Sequence, residues 1–240
     1  MNIIRGIIRW VLKPAMWILI FFLGSTIAMT LVYRYCKVPI SPLMVIRLVD
    51  QAKEGKQLKL AHHWVPLDSI NPSLPQAVVA SEDQNFMKHH GFDFEAIEDA
   101  LEEREKTGRV RGASTISQQT AKNVFLWPSS TWVRKGFEAY FTVLIETFWS
   151  KQRIMEVYLN TIEMGDGIYG AEAVALEHFG CHAIDLNANR SALIAASLPN
   201  PIKRNSGNPS SYLYKRQRQI LRQMRNVGPF PMTVEEKAEE

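Results

Sequence analysis

A mainly α-helical domain carried behind one membrane-spanning helix is what this 240-residue sequence predicts, and three observations carry the prediction. Between Lys13 and Arg34 lie twenty residues, Pro14 to Tyr33, without a single charge. From Pro75 onward apolar residues recur at three- and four-residue intervals, and no convincing alternating run interrupts them. Helix start and stop signals (Pro75 and Gly91, Thr115 with Gln118, Ser150, Pro199 and Pro201) cut that stretch into helical lengths.

Twenty uncharged residues at 1.5 Å each span about 30 Å, the thickness of a bilayer's hydrocarbon. A cleaved signal peptide has a shorter apolar region and a small-residue cleavage site, for which Ala28-Met29-Thr30 is a poor candidate. Residues 14–33 are therefore read as an uncleaved transmembrane helix. Arg5, Arg9 and Lys13 before it outweigh Arg34 and Lys37 after it only slightly, a weak bias toward a cytoplasmic N-terminus over residues 1–13. Trp10, Trp17, Tyr33 and Tyr35 stand near the two ends, where an interfacial aromatic belt would place them.

Residues 34–64, interrupted by Pro39 and Pro42 and holding the polar run Gln51 to Lys59, read as a tether with one short helix. The globular domain is expected over 65–225, and 226–240 as a C-terminal tail whose end, Thr233 to Glu240, is acidic and nearly without apolar groups. The net charge of +4 and pI near 9.0 suit an anionic membrane surface or phosphate groups, and no basic block reads as a nucleic-acid patch. The two cysteines, Cys36 and Cys181, supply neither a disulfide framework nor a metal site. His62-His63 and His89-His90 are not ligand pairs without further partners, so no dedicated metal site is predicted.

Pro75 as a first helical residue and Gly91 as a stop frame a helix over Gln76 to about Lys88, with Val78, Val79 and Phe86 on one face and Glu82 among them. A carboxyl group in that setting has its pKa raised, which suits a general base; a Glu paired with an unseen cation is the rival reading. His89, near that helix's end, is read as a packed structural imidazole. Thr115 and Gln118 are spaced as a capping box, so a helix should begin at Ser114 or Thr115. Ser114, Gln118 and Lys122 then repeat every four residues at a helix N-terminus, an arrangement that suits phosphate, although a solvated polar face has the same pattern.

Further on, Arg134 and Lys135 precede Glu138 on a strongly apolar helix, and Glu138 is either a second active-site carboxylate or one partner of an i,i+4 ion pair. The run Val124 to Pro128 with Trp132 is either inserted into a membrane or packed in the core. Lys151 to Asn160 should be a helix after Ser150, burying Ile154, Val157 and Tyr158 and leaving a structural Glu156 with Asn160 on its polar side. Gly165, Gly167 and Gly170 form a loop, and Ala192 to Leu198 a helix of small residues.

Taken in order, Glu82-Asp83-x-x-Phe86-x-x-His89-x-Gly91, Gly112-Ala113-Ser114-Thr115-Ile116-Ser117-Gln118-Gln119, Arg134-Lys135-x-x-Glu138, Lys151-x-x-Ile154-x-Glu156-x-Tyr158-Leu159-Asn160 and Leu198-Pro199-Asn200-Pro201 closely resemble the peptidoglycan glycosyltransferase family. Ser117 stands where threonine is common and Ser191 where glutamate often opens the last motif. No penicillin-binding domain is expected, which points to the monofunctional kind. The resemblance implies a lysozyme-like helical fold with a small membrane-contacting subdomain, a cytoplasmic N-terminus and an outward-facing catalytic cleft at a bacterial inner membrane. It implies Glu82 as the catalytic base and Glu138 as a second essential glutamate. Asp83, Ser114, Gln118, Gln119, Lys122, Arg134 and Lys135 are the residues it implies for substrate and pyrophosphate. Lipid II and the growing polyprenyl-pyrophosphate glycan are the expected ligands, membrane lipids a further contact, and other cell-wall synthases or division proteins the candidate partners. No cofactor is required, though a divalent cation such as Mg2+ has a place on the pyrophosphate. The alternatives are a lytic transglycosylase, which would use Glu82 without a phosphate-binding lysine, and a non-catalytic cell-wall scaffold.

Overall fold

The computed structural model describes residues 2–108, 112 and 114–233, with side chains from Leu12 onward. Two compact units result, Met1–Cys36 and Lys37–Glu240. The first is one helix, α1 (Asn2–Tyr35), whose Leu12–Tyr35 stretch is long and apolar enough to cross a membrane by length and composition. Its Thr26 and Thr30 hydroxyls donate to the carbonyls of Phe22 and Thr26, so these polar groups are satisfied within the helix, as an apolar surrounding demands.

The second unit begins earlier than the sequence reading placed it. Residues 37–64 are not a free tether: α2 (Pro42–Lys53) starts with Pro42 at its first position behind a Ser41 cap and packs on α5, and β1 (Ala61–His62) joins a sheet. Pro42, which looked like a breaker, opens a helix rather than interrupting one, and Pro39 lies in the non-helical segment before it. Next come α3 (Ser73–Glu82), α4 (Phe94–Thr107), α5 (Ile116–Phe125), α6 (Trp132–Phe148) and α7 (Lys151–Thr161). A hairpin of β2 (Glu163–Gly165) and β3 (Ile168–Tyr169) follows, then α8 (Ala171–Phe179), α9 (Ala188–Ser197) and α10 (Ser211–Val227). β1 pairs in parallel with β3, and β2 antiparallel to it, through a turn whose Gly167 has φ +67° and only 2.5 Å between a would-be Cβ and the Lys59 carbonyl.

Two helix groups make the core: α3, α9 and α10 pack together, and α5 packs on α6 and α7. Leu74, Ile116, Ile154, Tyr158 and Ile220 are fully enclosed, and burying each such side chain stabilises the fold by about 1.5–3 kcal/mol. α10 shows how periodicity builds this: Leu213, Gln217, Ile220 and Met224 are buried at four-, three- and four-residue steps, and its arginines stand mostly on the other side. The expected helix over Ala192 to Leu198 starts four residues sooner, behind an Asn187 cap. Within residues 226–240, Phe230 is buried and stacks on Phe86. Residues 234–240, which hold most of the acidic end, lie outside those described, as do Arg109 and Arg111.

Candidate active site

The helix that carries Glu82 runs from Ser73 to Glu82 rather than from Gln76 to Lys88, and both ends have a local cause. Pro72 is the cap residue, and the Oδ1 of Asn71 before it accepts from the Ser73 amide and hydroxyl, so that Pro75 is the third helical residue. At the other end Asp83 leaves helical geometry (φ −161°, ψ 80°), and its carboxylate accepts from the amide of Ile116, the first residue of α5, at 2.9 Å. His89 Nδ1 accepts from the Gly91 amide, which leaves Nε2 as the ring's donor to Asp83 at 3.0 Å. His89 is structural, as read. Asp83 is buried, borders the same cleft as Glu82, and joins α3 to α5.

Glu82 is thereby left at the end of α3, half-buried in the wall of a cleft of about 580 Å3 that Ser114, Asn85, Asp99 and Arg216 also line. Burial pushes its carboxyl up from the ordinary 4.5; hydrogen bonds from Gln119 and Ser81 and the charge of Arg216 oppose that shift without cancelling it. Gln119 Nε2 reaches Glu82 Oε2 at 3.2 Å, while Gln119 Oε1 accepts from the Tyr158 hydroxyl at 3.1 Å. Tyr158 is wholly buried and its pKa is driven upward by that burial, so its hydroxyl is a permanent donor and fixes which end of the Gln119 amide faces Glu82.

Ser114, Gln118 and Lys122 do not act as one stripe. α5 starts behind a Thr115 cap, and Gln118 closes the capping box, its Oε1 accepting from the Thr115 amide at 3.0 Å. Gln118 is buried there, and its side chain is committed to the cap. Ser114 borders the Glu82 cleft, whereas Lys122, two turns on, lines a separate cavity of about 350 Å3 with Arg134. Burial lowers the Lys122 pKa from 10.5, the nearby Glu138 opposes this, and the charges of Arg134 and Lys135 add to it. Among the described residues no hydrogen bond or ion pair engages its Nζ.

Glu138 is 3% exposed and holds both Arg134 and Lys135, so the ion-pair reading is what the geometry shows. Arg134 also donates to the Ser129 carbonyl, which fixes the connection between α5 and α6. In that apolar run Val124 and Leu126 are packed inside, while Trp127 is 43% and Trp132 91% exposed, with Val133 next in sequence also exposed. Asn160, expected on a polar side, is fully buried; it donates to the Val65 carbonyl and accepts from the Val65 amide. Glu156 pairs with Arg153, a structural role as read. Ser191, another departure from the family pattern, is buried with its hydroxyl 2.7 Å from that of Ser73.

Sequence reasoning missed Arg216, which lines the Glu82 cleft from α10, and Arg47 with Glu163 in the second cavity. The amphipathic stripe of α10 was a usable signal for the first; only long-range packing assembles the second. No group of three or more His, Cys, Asp or Glu side chains among the described residues could hold a metal ion.

Comparison with known proteins agrees with this arrangement. The family model described as "Transglycosylase" matches residues 50–225, which takes in the lining of the Glu82 cleft and that of the second cavity except for Leu43 and Arg47. A Bacteroides thetaiotaomicron protein named biosynthetic peptidoglycan transglycosylase is 60% identical over 231 residues, 96% of this chain and 93% of that protein. Proteins of the same name from Bdellovibrio bacteriovorus and Caulobacter vibrioides are 50% and 51% identical, covering 92% and 90% of this chain and 87% and 91% of theirs. With the family model covering most of the chain and the motif residues gathered around the two cavities, the chain belongs to the transglycosylase family.

Proposed function

We propose that this protein is a membrane-anchored peptidoglycan glycosyltransferase that polymerises lipid II into glycan strands at the outer face of a bacterial inner membrane, with its N-terminus in the cytoplasm. The observation that carries the reading is α5 itself. Gln119 on that helix holds Glu82, and Lys122, one turn further, faces the cationic cavity, so about 4.5 Å of helix axis separates the base's support from the anion's.

Glu82 takes the proton from the 4-hydroxyl of the acceptor sugar. The freed oxygen attacks the anomeric carbon of the donor from the face opposite the diphosphate, the bond from that carbon to the diphosphate oxygen breaks, and the new linkage is inverted. The leaving group departs as an anion and needs cations rather than an acid, which Lys122 and Arg134 supply, with Lys135 behind them on Glu138. A glycosidase, by contrast, must protonate a sugar oxygen and would leave the cationic cavity without a role. The exposed Trp127, Trp132 and Val133 provide an apolar edge beside that cavity for a lipid-linked substrate, and α1 is suited to keep the enzyme in the same bilayer as its substrates.

Polymerisation of labelled lipid II by the purified protein in detergent, with Glu82→Gln alongside, tests this. Polymer from the parent and none from a folded Glu82→Gln is expected. An inactive parent, or release of anhydro-sugars from finished glycan, would move the assignment to a scaffold or a lytic enzyme.

A further inference from the structure

We propose that Arg47, on the first helix after the membrane-spanning segment, is a third cation for the diphosphate of the lipid-linked donor, and that Glu163 is the internal anion Arg47 releases to bind it. This rests on the transferase reading above, but the residue lies outside all five sequence motifs.

The second cavity brings Arg47, Lys122 and Arg134 together against a single carboxylate, Glu163, while Leu43, Leu126, Trp127 and Pro128 supply apolar wall. Such a lining fits an amphiphile with a multiply charged anionic head and a hydrocarbon tail. Within it Arg47 is poorly satisfied. Its Nη2 donates to Glu163 Oε2 at 3.2 Å, longer than the roughly 2.7–2.9 Å of a well-made charge-assisted bond. Its Nε is buried and has no hydrogen-bond partner among the described residues. A guanidinium carries five N–H donors in a rigid fork, and leaving a buried one unpaired costs free energy. A diphosphate offers several oxygens at once and can meet Nε and Nη together, which the single Glu163 contact does not.

Glu163 is suited to let go. Burial pushes its carboxyl up, and the Tyr169 hydroxyl, 3.3 Å from its other oxygen, remains as a partner when the guanidinium turns away. α2 is kept in place independently by its packing on α5, so Arg47 can exchange partners without the helix moving.

The test is calorimetric titration of the full chain in detergent with farnesyl diphosphate and, separately, with inorganic diphosphate, comparing the parent with Arg47→Lys, Arg47→Gln and Glu163→Gln and recording each variant's Tm. Farnesyl diphosphate should bind the parent more tightly than inorganic diphosphate does. Arg47→Gln should weaken it by about tenfold or more, Arg47→Lys should fall between because it keeps the charge and loses the fork, and Glu163→Gln should tighten it severalfold. A merely structural ion pair predicts instead that Arg47→Gln and Glu163→Gln lower Tm alike and change neither affinity, and that result would overturn the proposal. Equal affinity for inorganic and farnesyl diphosphate would overturn its lipid part. A parent that binds farnesyl diphosphate in an Arg47-dependent way yet makes no polymer from lipid II would sink the transferase reading and leave the Arg47 contact standing.

Discussion

The Glu82 cleft and the Lys122 cavity are both bordered by α5 or its cap and are built on opposite principles. The cleft is lined by carboxylates, with Arg216 as its counterweight, and its key group is a carboxyl that burial makes more basic. The cavity is lined by cations with one carboxylate, and its key group is an ammonium that burial makes more acidic. In each the protein holds a group away from the water that would best solvate its charge, and each therefore lowers stability in a pH-dependent way. For Glu82 the folded pKa exceeds the unfolded one, so the folded chain binds more protons and stability falls as pH rises from the ordinary carboxylate value through the raised one. For Lys122 the folded pKa is the lower, so its deficit is present at neutral pH and stability recovers as pH climbs from that lowered value toward 10.5.

The largest expected effect breaks the cleft and spares the cavity. Glu82→Gln should reduce polymerisation by about 10^3-fold, the scale of a lost general base, while raising Tm at neutral pH. A fall in Tm would contradict the claim that this carboxyl is held at a cost. In the parent, the acid limb of the rate profile should lie above the normal range for a glutamate, because Glu82 must lose its proton to act.

Next is Glu138→Gln, which leaves the buried Arg134 guanidinium uncompensated and should cost about 3 kcal/mol in denaturant unfolding. Activity that survives wherever the variant is folded makes Glu138 a brace for the cavity; activity lost in a folded variant assigns it to the chemistry. Lys122→Met should then slow polymerisation by about tenfold to a hundredfold, leave the acid limb in place and raise Tm at neutral pH. An acid limb that moved with Lys122 would merge the two regions into one electrostatic unit. The smallest effect belongs to Tyr158→Phe, which frees the Gln119 amide to turn and should lower the rate by about threefold with little change in substrate affinity.

What the sequence disclosed and what it withheld divide by range. Caps are local, so Thr115 with Gln118 and Ser150 mark the starts of α5 and α7 in the sequence itself. Periodicity is local too, and it marks the buried side of α7. The end of α3 was not legible, because Asp83 leaves the helix for an amide 33 residues away. Gln118 had the spacing of a phosphate stripe, but its carbonyl is committed to the cap. Residues 37–64 looked like a linker because the polar run Gln51 to Lys59 hid an anchor point: Gln51 Oε1 accepts from the Lys59 amide and ties the end of α2 to the strand that follows. Arg47 and Glu163 are 116 residues apart, and nothing short of the folded chain brings them together.

The Lys151 ammonium lies 4.6 Å from the centre of the Phe86 ring, Phe230 stacks on the same ring, and Arg216 and Gln223 of α10 are part of the cleft's lining. The cleft is thus assembled from segments far apart in the sequence. Glu82 at the end of α3 and Arg216 on α10 stand 134 residues apart in the chain, and the cleft needs both segments. A chain truncated before α10 should therefore keep Glu82 but lose part of the cleft's lining, and polymerising activity with it.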